Sequence, residues 1–360
     1  MEPKKYEYID SLRGIAVIFV VGVHVTLMNP SLWDFFPEFM QLTMQHWIHC
    51  IQLFFIVSAF TLTISYHNRI NEPHATRNFI IRRFFRIAPM YYLAIIYFTF
   101  AIFLGFNLSQ INWADLPVKG LISSFLFMNG LFPAWINSYV PGGWTITVEF
   151  MFYFTMPIIC RYINNLNKSI VFVLATLLFS TLLNTLLAGS SFDKFDFLYY
   201  YFPNQLPIFA MGILAYWLIN ESIYNIKTST ALFLTTVFAF YCFISFPLHF
   251  VDTIVFLLLI LILNKKPYKL FSNKILAIIG KYSFSLYLIH FAILKILAEK
   301  KIDKIFEATN SFTAILDAGS LYLLVLGGAF IISHFTYKYV EVPGQNLGRK
   351  LIKRLNTKPL

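Results

Sequence analysis

Long apolar runs recur from one end of this 360-residue chain to the other, and they constrain the fold more than any single motif does. Each is long enough for the roughly 20 residues that a bilayer core demands of a spanning helix. Of the residues, 58% are hydrophobic and 12% are charged, against about 25% charged in an ordinary soluble domain. That leaves too few polar side chains to cover a soluble globule. The first run, residues 11–28, lacks a small-residue cleavage site and holds Gly22 and His24 inside its apolar core. It reads as a retained helix, not as a secretory signal. The expected fold class is all-α, a polytopic transmembrane helix bundle.

The runs predict ten helices, at 11–28, 47–66, 87–106, 144–162, 169–187, 204–220, 229–246, 250–264, 282–298 and 316–338. An eleventh apolar stretch, 117–132, is short and broken by Gly120, Asn129 and Gly130. Charge decides its place. With that stretch not spanning and the N-terminus inside, 22 of the 28 Lys and Arg fall on the cytoplasmic side. Only Lys119, Lys194, Lys295, Lys300, Lys301 and Lys304 fall outside, a strong positive-inside bias. If the stretch crossed, both C-terminal basic clusters would lie outside. It is therefore expected to be re-entrant or interfacial, and non-helical backbone at that depth implies a cavity under the outer segment 107–143. Both termini are then cytoplasmic, in a multi-pass protein of the cytoplasmic (inner) membrane.

The net charge of +11 follows from this bias and does not call for nucleic acid. Cys50, Cys160 and Cys242 lie in or beside apolar runs without metal-ligand spacing, so they read as packing residues and no metal is expected. No internal repeat or low-complexity tract divides the chain. Residues 1–360 are expected to form a single membrane-embedded domain with no fused extracytoplasmic domain, ending in the basic tail 339–360.

Ionisable groups inside a bilayer are costly, at least about 2.5–3.5 kcal/mol at mid-depth, and tend to have a task. Arg13 and His24 are eleven residues apart, close to three whole helical turns, so they share a face roughly 16 Å apart along the axis. One face thus offers a fixed cation at the inner mouth and a titratable base deep in the membrane. Asp10 and Ser11 stand beside Arg13. In "RRFFRIAP", Arg83 and Arg86 stand at i, i+3, where two guanidiniums suit phosphate. A positive-inside anchor would also explain them. In "PGGWTITVEF", a Pro-Gly-Gly turn and Trp144 mark the outer interface. Glu149 then lies about 8 Å into the bilayer, near the depth of His24, so the two could form an oriented base or a structural pair. Tyr153 follows Glu149 by one turn. In "KYSFSLYLIHF", Ser285, Tyr287 and His290 either line a cavity or brace neighbouring helices. Glu341 and Pro343, in "VEVPGQNLGR", read as the stop of the last helix. Neither a nucleotide loop, a zinc pattern nor a nucleophile elbow is present.

Taken in order, "SLRG", the Arg13–His24 spacing, "RRFFRIAP", "GGWTITVEFMFY", "YSFSLYLIH" and "VEVP" resemble the acyltransferase 3 family over about residues 6 to 350. These are integral membrane acyltransferases that modify cell-surface glycans. The resemblance implies an O-acyltransferase, most simply an O-acetyltransferase, taking its acyl group from cytoplasmic acetyl-CoA or another acyl-CoA as co-substrate, with no bound cofactor. The acceptor would be a hydroxyl of a glycan or glycolipid. By position, His24 matches the family's catalytic histidine, Arg13 the arginine of the same motif, Arg83 and Arg86 the arginine pair linked to acyl-CoA, and Glu149 an acidic position after the tryptophan. Asp10, Ser11, Trp144, Tyr153, Ser285, Tyr287 and His290 are expected to line the cavity. The expected partners are acyl-CoA, the acceptor and membrane lipid. Any extracytoplasmic partner would be a separate protein.

On this reading the arginines hold the phosphates of acyl-CoA at the inner surface, and the thin pantetheine arm brings its thioester towards His24. A transporter or flippase for a glycan or acyl-bearing substrate is the alternative, with the same polar groups forming a path. Inverted repeats would favour that alternative.

Overall fold

A computed structural model describes residues 7–104, 118–137, 139–194, 197–221, 248–302 and 304–357. The described chain is all-α. Its helices are α1 (Glu7–Met28), α2 (Glu38–Trp47), α3 (Cys50–His67), α4 (Ala75–Phe103), α5 (Val118–Phe125), α6 (Gly143–Tyr162), α7 (Leu166–Leu187), α8 (Phe197–Tyr200), α9 (Phe202–Asn220), α10 (Leu248–Lys265), α11 (Lys274–Lys281), α12 (Ser283–Glu299), α13 (Ser311–Thr336) and α14 (Val342–Thr357). Among the described residues seven helices or helix pairs are long and apolar enough to cross a membrane. They become eight if α11 and α12, bent by 71° at their junction, form one span. The protein is thus a polytopic membrane protein. The span expected at 229–246 lies outside the described residues.

Local chemistry sets the helix ends. Gly142 takes the left-handed backbone, φ 69°, which glycine adopts at no steric cost, and α6 starts directly after it. The side chains of Asn165, Asn273 and Asn310 accept the first free N–H groups of α7, α11 and α13, as N-caps do. The stretch expected to be re-entrant holds only the eight residues of α5, followed by tight turns at Asn129–Leu131 and Pro133–Trp135. No single described helix crosses there.

The end of α13 differs from expectation. Glu341 and Pro343 do not stop the helix: a π-turn, Tyr337–Glu341, passes directly into α14. Pro343 has no N–H to give back to the preceding turn, and the π-turn just before it is where the helix adjusts and continues. Glu341 is buried and accepts a hydrogen bond of 2.5 Å from Ser285 Oγ.

The chain clusters into two compact units, each assembled from distant segments. The first comprises Met1–Phe54, Met90–Leu116 and Lys266–Val342; the second comprises Phe55–Pro89, Pro117–Lys265 and Pro343–Leu360. In the first unit α1 packs on α11, α12 and α13. The α1–α11 crossing is glycine against glycine. A Cβ on Gly280 would lie 2.7 Å from the carbonyl carbon of Asp10, and one on Gly14 would lie 3.0 Å from that of Leu276. Beside α1, an apolar cavity of about 210 Å³ is lined by Phe19, Gly22, Met40, Trp47 and Tyr322. Buried Asp317 accepts the N–H groups of Ile305 and Phe306, at 2.6 and 2.8 Å, and ties that turn to α13.

In the second unit α6, α7 and α10 pack around α9. Phe152 stacks on Phe209 at 4.1 Å, and Phe209 in turn on Phe55 at 4.8 Å. One cluster of polar groups inside this unit is satisfied internally, as a bilayer favours. Asn204 accepts from Ser180 at 2.8 Å and donates to Asn184 and to the Leu198 carbonyl, each at 2.6 Å.

Candidate functional site

In the first unit, α1 carries His24 and α12 carries His290. Their rings are tilted by 32° with centroids 5.2 Å apart, and His24 Nδ1 lies 3.2 Å from His290 Nε2. The pair is 266 residues apart in sequence. His290 is completely buried and His24 half-buried. Phe291 covers the His24 ring at 4.6 Å, and Tyr287 lies 5.7 Å from His290.

This geometry assigns the protons of the neutral pair. His290 Nδ1 lies 3.3 Å from the Leu286 carbonyl oxygen, which can only accept, so Nδ1 carries the hydrogen. His290 Nε2 is then an acceptor, and His24 Nδ1 donates to it. The free lone pair of the His24 ring is left on Nε2, the state a general base or nucleophile needs. Tyr287 and His290 share a face of α12, as expected. The pairing of His290 with His24 was not foreseen, because no local pattern links residues so far apart.

At the start of α1, Arg13 pairs with Asp10 at 3.1 Å. Ser11 donates to the Asn273 carbonyl at 3.2 Å and joins the first turn of α1 to the N-cap of α11. The glycine crossing just described fixes this end of the helix, and α1 runs unbroken from there to His24. Ser285 braces α12 through Glu341.

In the second unit, Glu149 on α6 accepts two short hydrogen bonds on one oxygen: 2.6 Å from Ser58 Oγ of α3 and 2.7 Å from Tyr153 Oη one turn on. Trp144 packs against Phe55, Tyr199 and Tyr200. On α4, Arg83 donates to Ser65 Oγ at 3.3 Å and lies 5.5 Å over the Phe79 ring. Arg83 and Arg86 line a pocket of about 410 Å³ with Arg69, Arg82, Gln345 and Arg349. Glu72 is the local counter-charge for Arg82, at 3.0 Å, and for Arg69, at 3.6 Å.

The expected site residues thus form two groups. His24, Tyr287 and His290 come together in the first unit, with Asp10, Ser11 and Arg13 at the base of the same helix. The second holds the Glu149–Tyr153 pair and, lining one pocket, Arg83 and Arg86. Ser58, Arg69, Gln345 and Arg349 had not been singled out. For the last two, the four-residue spacing in "PGQNLGR" was the available signal.

Comparison with known proteins places the chain in a family. Residues 6–334 match the acyltransferase 3 family, described as an acyltransferase domain. The chain belongs to this acyltransferase family. A protein of Acidianus two-tailed virus, "Putative acetyltransferase ORF330", is 25% identical over 295 residues, which cover 78% of this chain and 81% of that protein. No solved structure matches the chain. The acyltransferase match spans segments of both units and takes in His24, Arg83, Arg86, Glu149 and His290. It ends before the π-turn and α14. Membership supports a membrane acyltransferase activity of the general type.

Proposed function

We propose that this acyltransferase moves an acyl group, acetyl in the simplest case, from cytoplasmic acyl-CoA to a hydroxyl of a cell-surface or lipid-linked glycan. The observation that carries the reading is the His24–His290 pair, which leaves a lone pair on His24 Nε2. In the proposed step, Nε2 takes the proton of the acceptor hydroxyl. The oxygen attacks the thioester carbonyl, a C–O bond forms, and the C–S bond breaks. The departing thiolate recovers the proton from His24, and free CoA leaves. Attack by Nε2 itself, with an acyl-imidazole between two transfers, uses the same lone pair.

Arg83 and Arg86 are assigned to the donor's phosphates, for which arginine forks are suited. Arg13 keeps the same assignment at the mouth of α1. Glu149 is assigned the acidic role, held in place by Ser58 and Tyr153. His290 positions His24.

The assignments separate in mutants. His290→Gln removes the ring acceptor, so transfer falls, by up to about 10²-fold for a misplaced group. KM for acyl-CoA stays unchanged and the pH–rate profile moves. An unchanged profile and rate would remove His290 from the site. Glu149→Gln keeps an oxygen acceptor for Ser58 and Tyr153 but loses the charge. The protein is expected to fold with its thermal midpoint preserved and its kcat at least about tenfold lower. Full activity would show that the charge has no part in the chemistry.

The transport alternative makes a different demand. Membranes holding the protein are given radiolabelled acetyl-CoA and a glycan pool, with ion gradients collapsed by ionophores. Release of CoA thiol with label entering glycan supports the transferase. Substrate movement that needs a gradient and releases no thiol would support the transporter and contradict the proposal.

A further inference from the structure

The pocket lined by Arg83 and Arg86 is closed by α14, a helix outside the family match. A pair of glycines explains its approach. Gly344 and Gly348, one turn apart, lie against Pro89 and Phe85 of α4, which are also one turn apart. A Cβ on Gly344 would come within 3.1 Å of Pro89 Cβ, and one on Gly348 within 2.8 Å of Phe85 Cβ. Small residues at four-residue spacing let two helices approach this closely. Each glycine is followed directly by a polar residue: Gln345 follows Gly344, and Arg349 follows Gly348. Both line the pocket with Arg82, Arg83 and Arg86.

Neither side chain is otherwise engaged. The Gln345 Nε2 amide is buried and has no hydrogen-bond partner among the described residues. Arg349 is exposed, and among the described residues its side chain makes no hydrogen bond or ion pair. A guanidinium brought close to other arginines, without a carboxylate of its own, meets like-charge repulsion unless an anion enters. An unpaired buried amide likewise costs stability unless an acceptor reaches it. A lysine-rich anchor would need neither the glycine crossing nor the amide.

We infer that α14 belongs to the acyl-donor site. Gln345 and Arg349 bind a phosphate ester of acyl-CoA from the side opposite Arg82 and Arg86, so the charged end of the donor is clamped between two helices. This rests on the proposed function and extends it to a segment that the family match does not cover. The chemistry recognised is a phosphate monoester or diester, and an anionic lipid headgroup is the other source of it.

The test uses the full-length protein in nanodiscs and measures coenzyme A binding directly. In discs of phosphatidylcholine, Arg349→Ala and Gln345→Leu are expected to weaken CoA binding, Arg349→Ala by about tenfold. KM for acetyl-CoA rises in parallel while kcat holds. Arg349→Gln, which keeps the length of the side chain, serves as a second variant should alanine disturb the helix. Lys353→Ala, on the same helix but off the pocket, leaves binding unchanged. Native CoA affinity in all three pocket variants, with Arg83→Ala still impaired, would overturn the role of α14 and leave the proposed function standing. No CoA binding by the native protein would overturn both. A defect that appears only in discs containing phosphatidylglycerol would assign the pocket to a lipid headgroup and overturn the donor assignment.

Discussion

Gly280→Ala is expected to leave little folded protein. The added methyl would overlap the backbone of Asp10 and stand 2.9 Å from the Gly14 nitrogen. Overpacking usually costs about 1–3 kcal/mol because side chains shift to relieve it. Here every atom in the way is backbone, so α1 and α11 must separate. The cost should reach the top of that range or beyond, a large fraction of the roughly 5–15 kcal/mol that holds a typical domain together. The separation would also break the Ser11–Asn273 hydrogen bond and loosen the base from which α1 carries His24. Gly319, also on a helix, has open space beside it, so Gly319→Ala is the matched control. In detergent, size-exclusion profiles and thermal midpoints should show Gly280→Ala lost or aggregated and Gly319→Ala close to native. A native midpoint for Gly280→Ala would mean that the crossing is looser than described.

The spans were legible because lipid demands continuous apolar runs, and hydropathy reads these directly. The expected 144–162 and 204–220 fall almost residue for residue on Gly143–Tyr162 and Phe202–Asn220. Errors came where helices leave the apolar zone. α4 begins at Ala75, not near 87, because the arginine-rich turns before Pro89 are helical but polar. α1 begins at Glu7 for the same reason. At the far end, Pro343 suggested a stop because proline breaks most helices. Here the helix passes through the π-turn Tyr337–Glu341 and continues into α14.

The site was half legible. Arg83 and Arg86 stood out because i, i+3 arginines share a helix face, and Glu149 because a carboxylate in an apolar run needs an explanation. Tyr153, the partner of Glu149, follows from the same helix, whereas Ser65, the partner of Arg83, lies on α3 and does not. The His24–His290 contact and the approach of α14 depend on tertiary packing, set by glycines at 14, 280, 344 and 348 whose partners lie far away in sequence. α14 also reads, by charge alone, as an ordinary basic anchor.

His24→Ala carries the largest functional effect. Removing a general base costs about 10²–10⁴-fold in rate, and removing an acyl carrier costs as much or more. The effect belongs to the chemical step, so CoA binding by the arginines should be retained. Arg83→Ala, by contrast, should raise KM for acetyl-CoA with kcat less affected. His24→Gln keeps a side chain against Phe291 and His290 but has no basic nitrogen, so it should be as inactive as alanine. Lost packing alone would not produce that equality.

The most direct measurement places native, His24→Ala and His24→Gln proteins in the same membranes with radiolabelled acetyl-CoA and follows label and free CoA thiol together. The account predicts that the native protein releases thiol and moves label into glycan or glycolipid in equal amounts. Both variants should do neither while still binding CoA. Full transfer by either variant, or native protein that releases no thiol with the acceptor pool present, would contradict it.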